Sequence, residues 1–131
     1  MDERLRMIVS DLRNRVSGEA ADWLTEHYPV DSPNSGEAFT IISHLSWKSP
    51  DQQRLADYYL SGLPFASARP YKTFASFMRV TLLIETLRKY LPTDERKQLF
   101  EYHVAPVLKQ AAKTPEDQEA VKSFLAEVKA R

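Results

Sequence analysis

Between its prolines this chain spaces its apolar residues three and four apart, a spacing that belongs to amphipathic helices. Leu5, Ile8, Val9, Leu12 and Val16 set the pattern, and Ala20, Trp23 and His27 continue it on the same face. At about 100° per residue, Leu5, Leu12, Val16 and Trp23 lie within about 40° of one another. A break at Gly18 would not need to keep that phase. The spacing therefore predicts one long helix from about Asp2 to Tyr28, bent at Gly18 and stopped by Pro29.

The segments that follow read the same way. Residues 30–36, VDSPNSG, form a loop, and Ala38, Ile41, Ile42 and Leu45 share one side of a second helix. Ser49-Pro50-Asp51-Gln52 combines a capping serine, proline at the first helical position and glutamine three residues after the cap. It predicts a third helix carrying Leu55, Tyr58 and Tyr59 and ending at Gly62 and Pro64. Pro70 opens a fourth helix running to Leu91, the most hydrophobic segment and so the expected centre of the core. Thr93-Asp94-Glu95 starts a fifth with Leu99, Phe100, His103, Val104, Val107 and Leu108 on one face, which Pro106 is expected to kink or split. Thr114-Pro115-Glu116-Asp117 caps a sixth, with Val121, Phe124, Leu125 and Val128 inward.

No stretch alternates as a strand does, and three glycines in 131 residues are too few for a turn-rich β fold. The expectation is an all-α, single-domain bundle of about six helices over residues 1–131, with a central hydrophobic helix near residues 70–91. That length suffices for one core. SPDQQRLADYYL at 49–60 echoes TPEDQEAVKSFL at 114–125. The same offset would pair Leu24 with Lys89 and Leu45 with Gln110, so shared capping chemistry explains the echo better than duplication.

The sequence argues against most catalytic chemistry. Without cysteine there is no disulfide, thiolate metal site or cysteine nucleophile. His27, His44 and His103 are far apart, and His27 and His103 fall on apolar faces where a hydrogen-bonded structural role is expected. There is no Gly-x-Ser-x-Gly elbow and no phosphate-binding glycine loop. Asp94, Glu95, Glu116 and Asp117 sit in first helical turns, where carboxylates complement the helix dipole. No catalytic residue, metal ligand or cofactor is assigned. The most apolar run, Val80 to Ile84, is too short for a bilayer, and the N-terminus lacks the unbroken apolar stretch of a signal peptide. A cytoplasmic protein with no membrane contact is expected.

The stretch SARPYKTFASFMR, residues 67–79, is the densest mixture of basic and aromatic side chains. Single-strand binders stack bases on rings beside a basic groove, so rings and charges must share a surface. On a helical wheel Phe74, Phe77 and Met78 gather on one side, while Lys72 and Arg79 project roughly opposite. Farther along, Val80, Ile84, Leu87 and Leu91 centre about 100° away from that aromatic cluster. Either different helices cover the two halves, or the cluster is partly exposed as a partner-binding patch.

Eighteen basic and eighteen acidic residues balance overall, yet residues 1–65 carry six basic and ten acidic groups, and residues 66–91 five basic and one acidic. Charge segregation of this kind steers protein association. The leading expectation is a non-enzymatic protein-binding module. Its most concrete form is a stoichiometric inhibitor of the immunity-protein or antitoxin type, acting on another protein such as a basic toxin or enzyme. The partner-binding residues would be the acidic Glu19, Asp22, Glu26, Asp51 and Asp57. The aromatics Trp47, Tyr58 and Tyr59 would join them, or else fill a helix junction. A second expectation is nucleic-acid or phosphate binding through Arg69, Lys72 and Arg79 in the basic 69–89 segment, with Lys89 nearby; the overall neutrality and the split wheel disfavour it. A third is an enzyme or small-ligand bundle using Glu85, Arg88 and His103.

Overall fold

The computed structural model describes all residues, 1–131, and is helical with no strand. The helices are α1 (Glu3–Arg13), α2 (Ser17–His27), α3 (Ser35–Ser43), α4 (Ser49–Leu60), α5 (Arg69–Ala75), α6 (Val80–Lys89), α7 (Arg96–Ala111) and α8 (Pro115–Ala130). The all-α expectation holds, with eight helices in place of about six, because two of the expected helices are each broken once.

The first break falls at residues 14–16 rather than at Gly18, which lies inside the first turn of α2. The Asn14 N–H turns back to the carbonyls of Asp11 and Leu12, and Val16 is extended and 63% exposed despite its helical phase. Long-range hydrogen bonds fix the new start. The Ser17 hydroxyl donates to Asp51 at 2.6 Å and accepts the Lys48 N–H at 3.1 Å. Those bonds bring the start of α2 to the start of α4, a constraint that local periodicity does not contain.

The second break, at residues 76–79, explains the change of buried face. Ser76 donates its hydroxyl to the Thr73 carbonyl at 2.7 Å, a local bond that competes with helix continuation, and Arg79 is extended. With the helix divided, α5 packs against α7 and α6 against α8. Different helices do cover the two halves. Phe74 and Met78 are buried and Phe77 half-buried, so the aromatic cluster is core.

Two capping expectations divide. Thr114 caps α8 as expected, its hydroxyl oxygen accepting the Asp117 N–H at 3.1 Å. Ser49 does not cap α4. It lies in the first turn, and the N–H groups of Asp51 and Gln52 both reach the Lys48 carbonyl at 2.9 Å. The resemblance between these two segments is therefore one of sequence more than of cap geometry.

Pro106 does not split α7, which runs unbroken from Arg96 to Ala111. The proline is exposed, and the residue whose carbonyl loses its donor, Tyr102, is 75% exposed, so water can satisfy that oxygen. Pro106→Ala restores the missing N–H, and we expect it to raise stability by about 1–2 kcal/mol in urea denaturation.

The chain divides into two compact units, residues 1–59 and 60–131. In the first, Leu5, Val9 and Leu12 of α1 are buried where α1 packs on α3, and Phe39 meets Tyr59 edge-on at 5.5 Å. Arg4 pairs with Glu37, which also accepts the Tyr28 hydroxyl at 3.0 Å. In the second, a chain of edge-on rings runs Phe65, Tyr71, Phe100, Phe124 at 5.5, 5.7 and 6.3 Å. The Arg88 guanidinium lies 5.6 Å over Phe124 and bonds Glu127 at 3.1 Å as well as Glu85. The first unit holds six basic and ten acidic residues, the second twelve and eight, so the charge asymmetry of the sequence follows the division between units. No helix is long and apolar enough to cross a membrane.

The Arg4 guanidinium and the Tyr28 hydroxyl hold the Glu37 carboxyl below its ordinary value of 4.5. A depressed carboxylate contributes stability that is present above the unfolded value and is lost as pH falls through the folded one. Acid titration of stability is therefore expected to show a decline below about pH 4.5 that is shallower in Glu37→Gln.

Candidate functional site

Glu19, Asp22 and Glu26 stand at i, i+3 and i+7 on α2, within about 60° of one another, and all three are exposed. Trp23 borders them, half-buried, with His27 stacked on it at 4.0 Å between ring centres and His27 Nδ1 2.8 Å from the Trp23 carbonyl oxygen. His27 is thus exposed, not on the buried face that the periodicity assigned to it, because α2 starts anew after the break and buries Ala20, Ala21 and Leu24 instead. Asp22 meets Arg54 of α4, whereas Glu19 and Glu26 make no ion pair.

The other two acids of the expected surface are half-buried and committed to neighbours. Asp51 takes the Ser17 hydroxyl, and Asp57 accepts from the Gln53 side-chain amide at 3.2 Å. The acidic surface therefore narrows to the stripe on α2.

Two of the three expected binding aromatics are interior. Trp47 is buried and donates its indole N–H to the Ile42 carbonyl at 3.1 Å. Tyr59 has no exposed surface, its hydroxyl donates to the Tyr28 and Leu24 carbonyls at 2.8 and 3.2 Å, and burial pushes its phenol well above the ordinary range. Both fill helix junctions with their polar tips satisfied. Tyr58 is half-buried, edge-on to Tyr59, with its oxygen accepting the Val30 N–H at 3.1 Å.

Arg69 and Lys72 on α5 and Arg79 before α6 are exposed and form no ion pair. The rings of their own segment turn inward, but Tyr102 of α7 does not. With Lys72, His103 and Pro106 it lines an open groove of about 370 Å³, its ring 5.0 Å from His103. A wheel of one helix could not show an aromatic supplied by another. Arg88 is engaged with both Glu85 and Glu127, and the groove holding His103 includes neither Glu85 nor Arg88. The expected catalytic trio does not line a common site, since Arg88 reaches over to Glu127 and Phe124 of α8.

A second cleft was not anticipated. It lies between α7 and α8, about 580 Å³, lined by Ala112, Val121, Leu125 and Ala126 and edged by Lys109, Lys122 and Lys129. Its signal in the sequence is the pair Lys122 and Lys129, seven residues apart and so on one face. No group of three histidine, aspartate or glutamate side chains is close enough to hold a metal ion. The chain matches no family model, no curated protein and no solved structure.

Proposed function

We propose that this protein is a non-enzymatic protein-binding module whose acidic first unit engages a basic partner, acting as a stoichiometric inhibitor. The observation that carries the reading is the α2 stripe of Glu19, Asp22 and Glu26, bordered by Trp23, on a unit with net charge −4. Complementary fields raise encounter rates and fix orientation, and an aromatic beside the charges supplies contact area. The stripe is rigidly presented, since Ser17–Asp51 and Asp22–Arg54 tie α2 to α4.

Capture from native lysate on the immobilised protein tests this. A single basic protein is expected at near-equimolar yield, eluted by salt and lost with the triple change Glu19→Lys, Asp22→Lys, Glu26→Lys. Its activity is expected to titrate to zero at one equivalent. Failure to retain any protein, or retention unchanged by the triple variant, removes the reading.

A second reading, anion or nucleic-acid binding, rests on the exposed Arg69, Lys72 and Arg79, and on Lys72 sharing a groove with Tyr102 and His103. Phosphate contacts weaken with salt, so salt-sensitive binding of single-stranded RNA lost in Lys72→Glu would favour it.

A further inference from the structure

We propose that the cleft between α7 and α8 is a docking groove for an acidic amphipathic helix of a partner protein. It lies in the basic second unit and uses none of the residues assigned to the acidic stripe.

The floor is apolar and small. Val121 and Leu125 are mostly buried, and Ala112 and Ala126 add no bulk, so a third helix can approach closely and set its apolar side chains between α7 and α8. The rim is cationic from both walls. Lys109 stands on α7, and Lys122 and Lys129 stand two turns apart on α8, about 10.5 Å along the axis. These three lysines make no ion pair, whereas Arg88, Arg96 and Arg131 of the same unit are each matched to a carboxylate.

The spacing decides the occupant. A helix with apolar residues at i, i+3, i+4 and i+7 would fill the floor, and flanking carboxylates two turns apart would meet the lysines as charged edge residues do in coiled coils. A fatty acid brings one carboxylate to three separated cations. A nucleic acid finds aliphatic side chains where a stacking ring is needed.

Fluorescence anisotropy with a labelled synthetic peptide of about 14 residues, leucines at that spacing and glutamates flanking them, tests the proposal on the intact chain. Binding is expected near about 10 μM. It should weaken with salt and fall at least tenfold, roughly, in Lys122→Glu/Lys129→Glu. Ala126→Trp changes an exposed position and fills the groove without disturbing the core, so it is expected to abolish binding while circular dichroism stays unchanged. A peptide with lysine in place of glutamate, dodecanoate and an RNA oligonucleotide are expected neither to bind there nor to compete. The proposal is overturned by absence of binding, by equal binding of the lysine peptide, by indifference to both variants, or by displacement of the peptide by dodecanoate or RNA.

Discussion

Phe100→Ala is expected to lower stability by about 4 kcal/mol, the usual cost of truncating a fully buried phenylalanine. Phe100 has no exposed surface and is the middle of the ring chain, with Tyr71 on one side and Phe124 on the other. Removing it leaves two edge-on contacts without a partner and a cavity between α5, α7 and α8, which pack against one another through α7. A domain of this size has roughly 5–15 kcal/mol in all, so the variant would sit near the unfolding threshold. Urea denaturation followed by far-ultraviolet circular dichroism measures it. A loss below about 1 kcal/mol would mean that the rings do not form a packed core.

Tyr59→Ala is expected to have a comparable effect in the first unit, about 3–5 kcal/mol. The companion change Tyr59→Phe separates the ring from the hydroxyl. The Leu24 carbonyl keeps the Tyr28 N–H at 2.8 Å when the hydroxyl goes, so the Tyr28 carbonyl is the group that suffers. One buried acceptor left without its donor costs about 1–3 kcal/mol. A value near zero for Tyr59→Phe would show that water replaces the hydroxyl.

Together these variants test the single-domain organisation that we propose for residues 1–131. Each truncation lies in one of the two compact units. If the chain is one cooperative domain, both shift the same transition, whichever probe follows it. Two transitions, each moved by one variant alone, would make the units separate domains.

Much of the fold was legible because helical periodicity is a local property. Thr114 lies one residue before α8, Pro70 lies in the first turn of α5, and Val121, Phe124, Leu125 and Val128 face inward on α8, all as their spacing indicates. The sequence also carried the warning for the second break, since the buried face moves between Met78 and Val80. At the first break it misled. Leu12, Val16 and Trp23 keep helical phase, but Ser17 bonds to residues more than thirty positions away, and those bonds override the local preference.

The candidate sites divide in the same way. Charge asymmetry, the acidic positions of α2 and the absence of cysteine chemistry are properties of the chain, and they require no coordinates. Which acids stay free, whether Trp47 and Tyr59 face inward, that Tyr102 joins Lys72 beside one groove, and that Lys109 stands across from Lys122 and Lys129 are relations between helices. Periodicity gives each residue a direction relative to its own axis, while a site needs two axes placed against each other, and that placement comes only from tertiary packing.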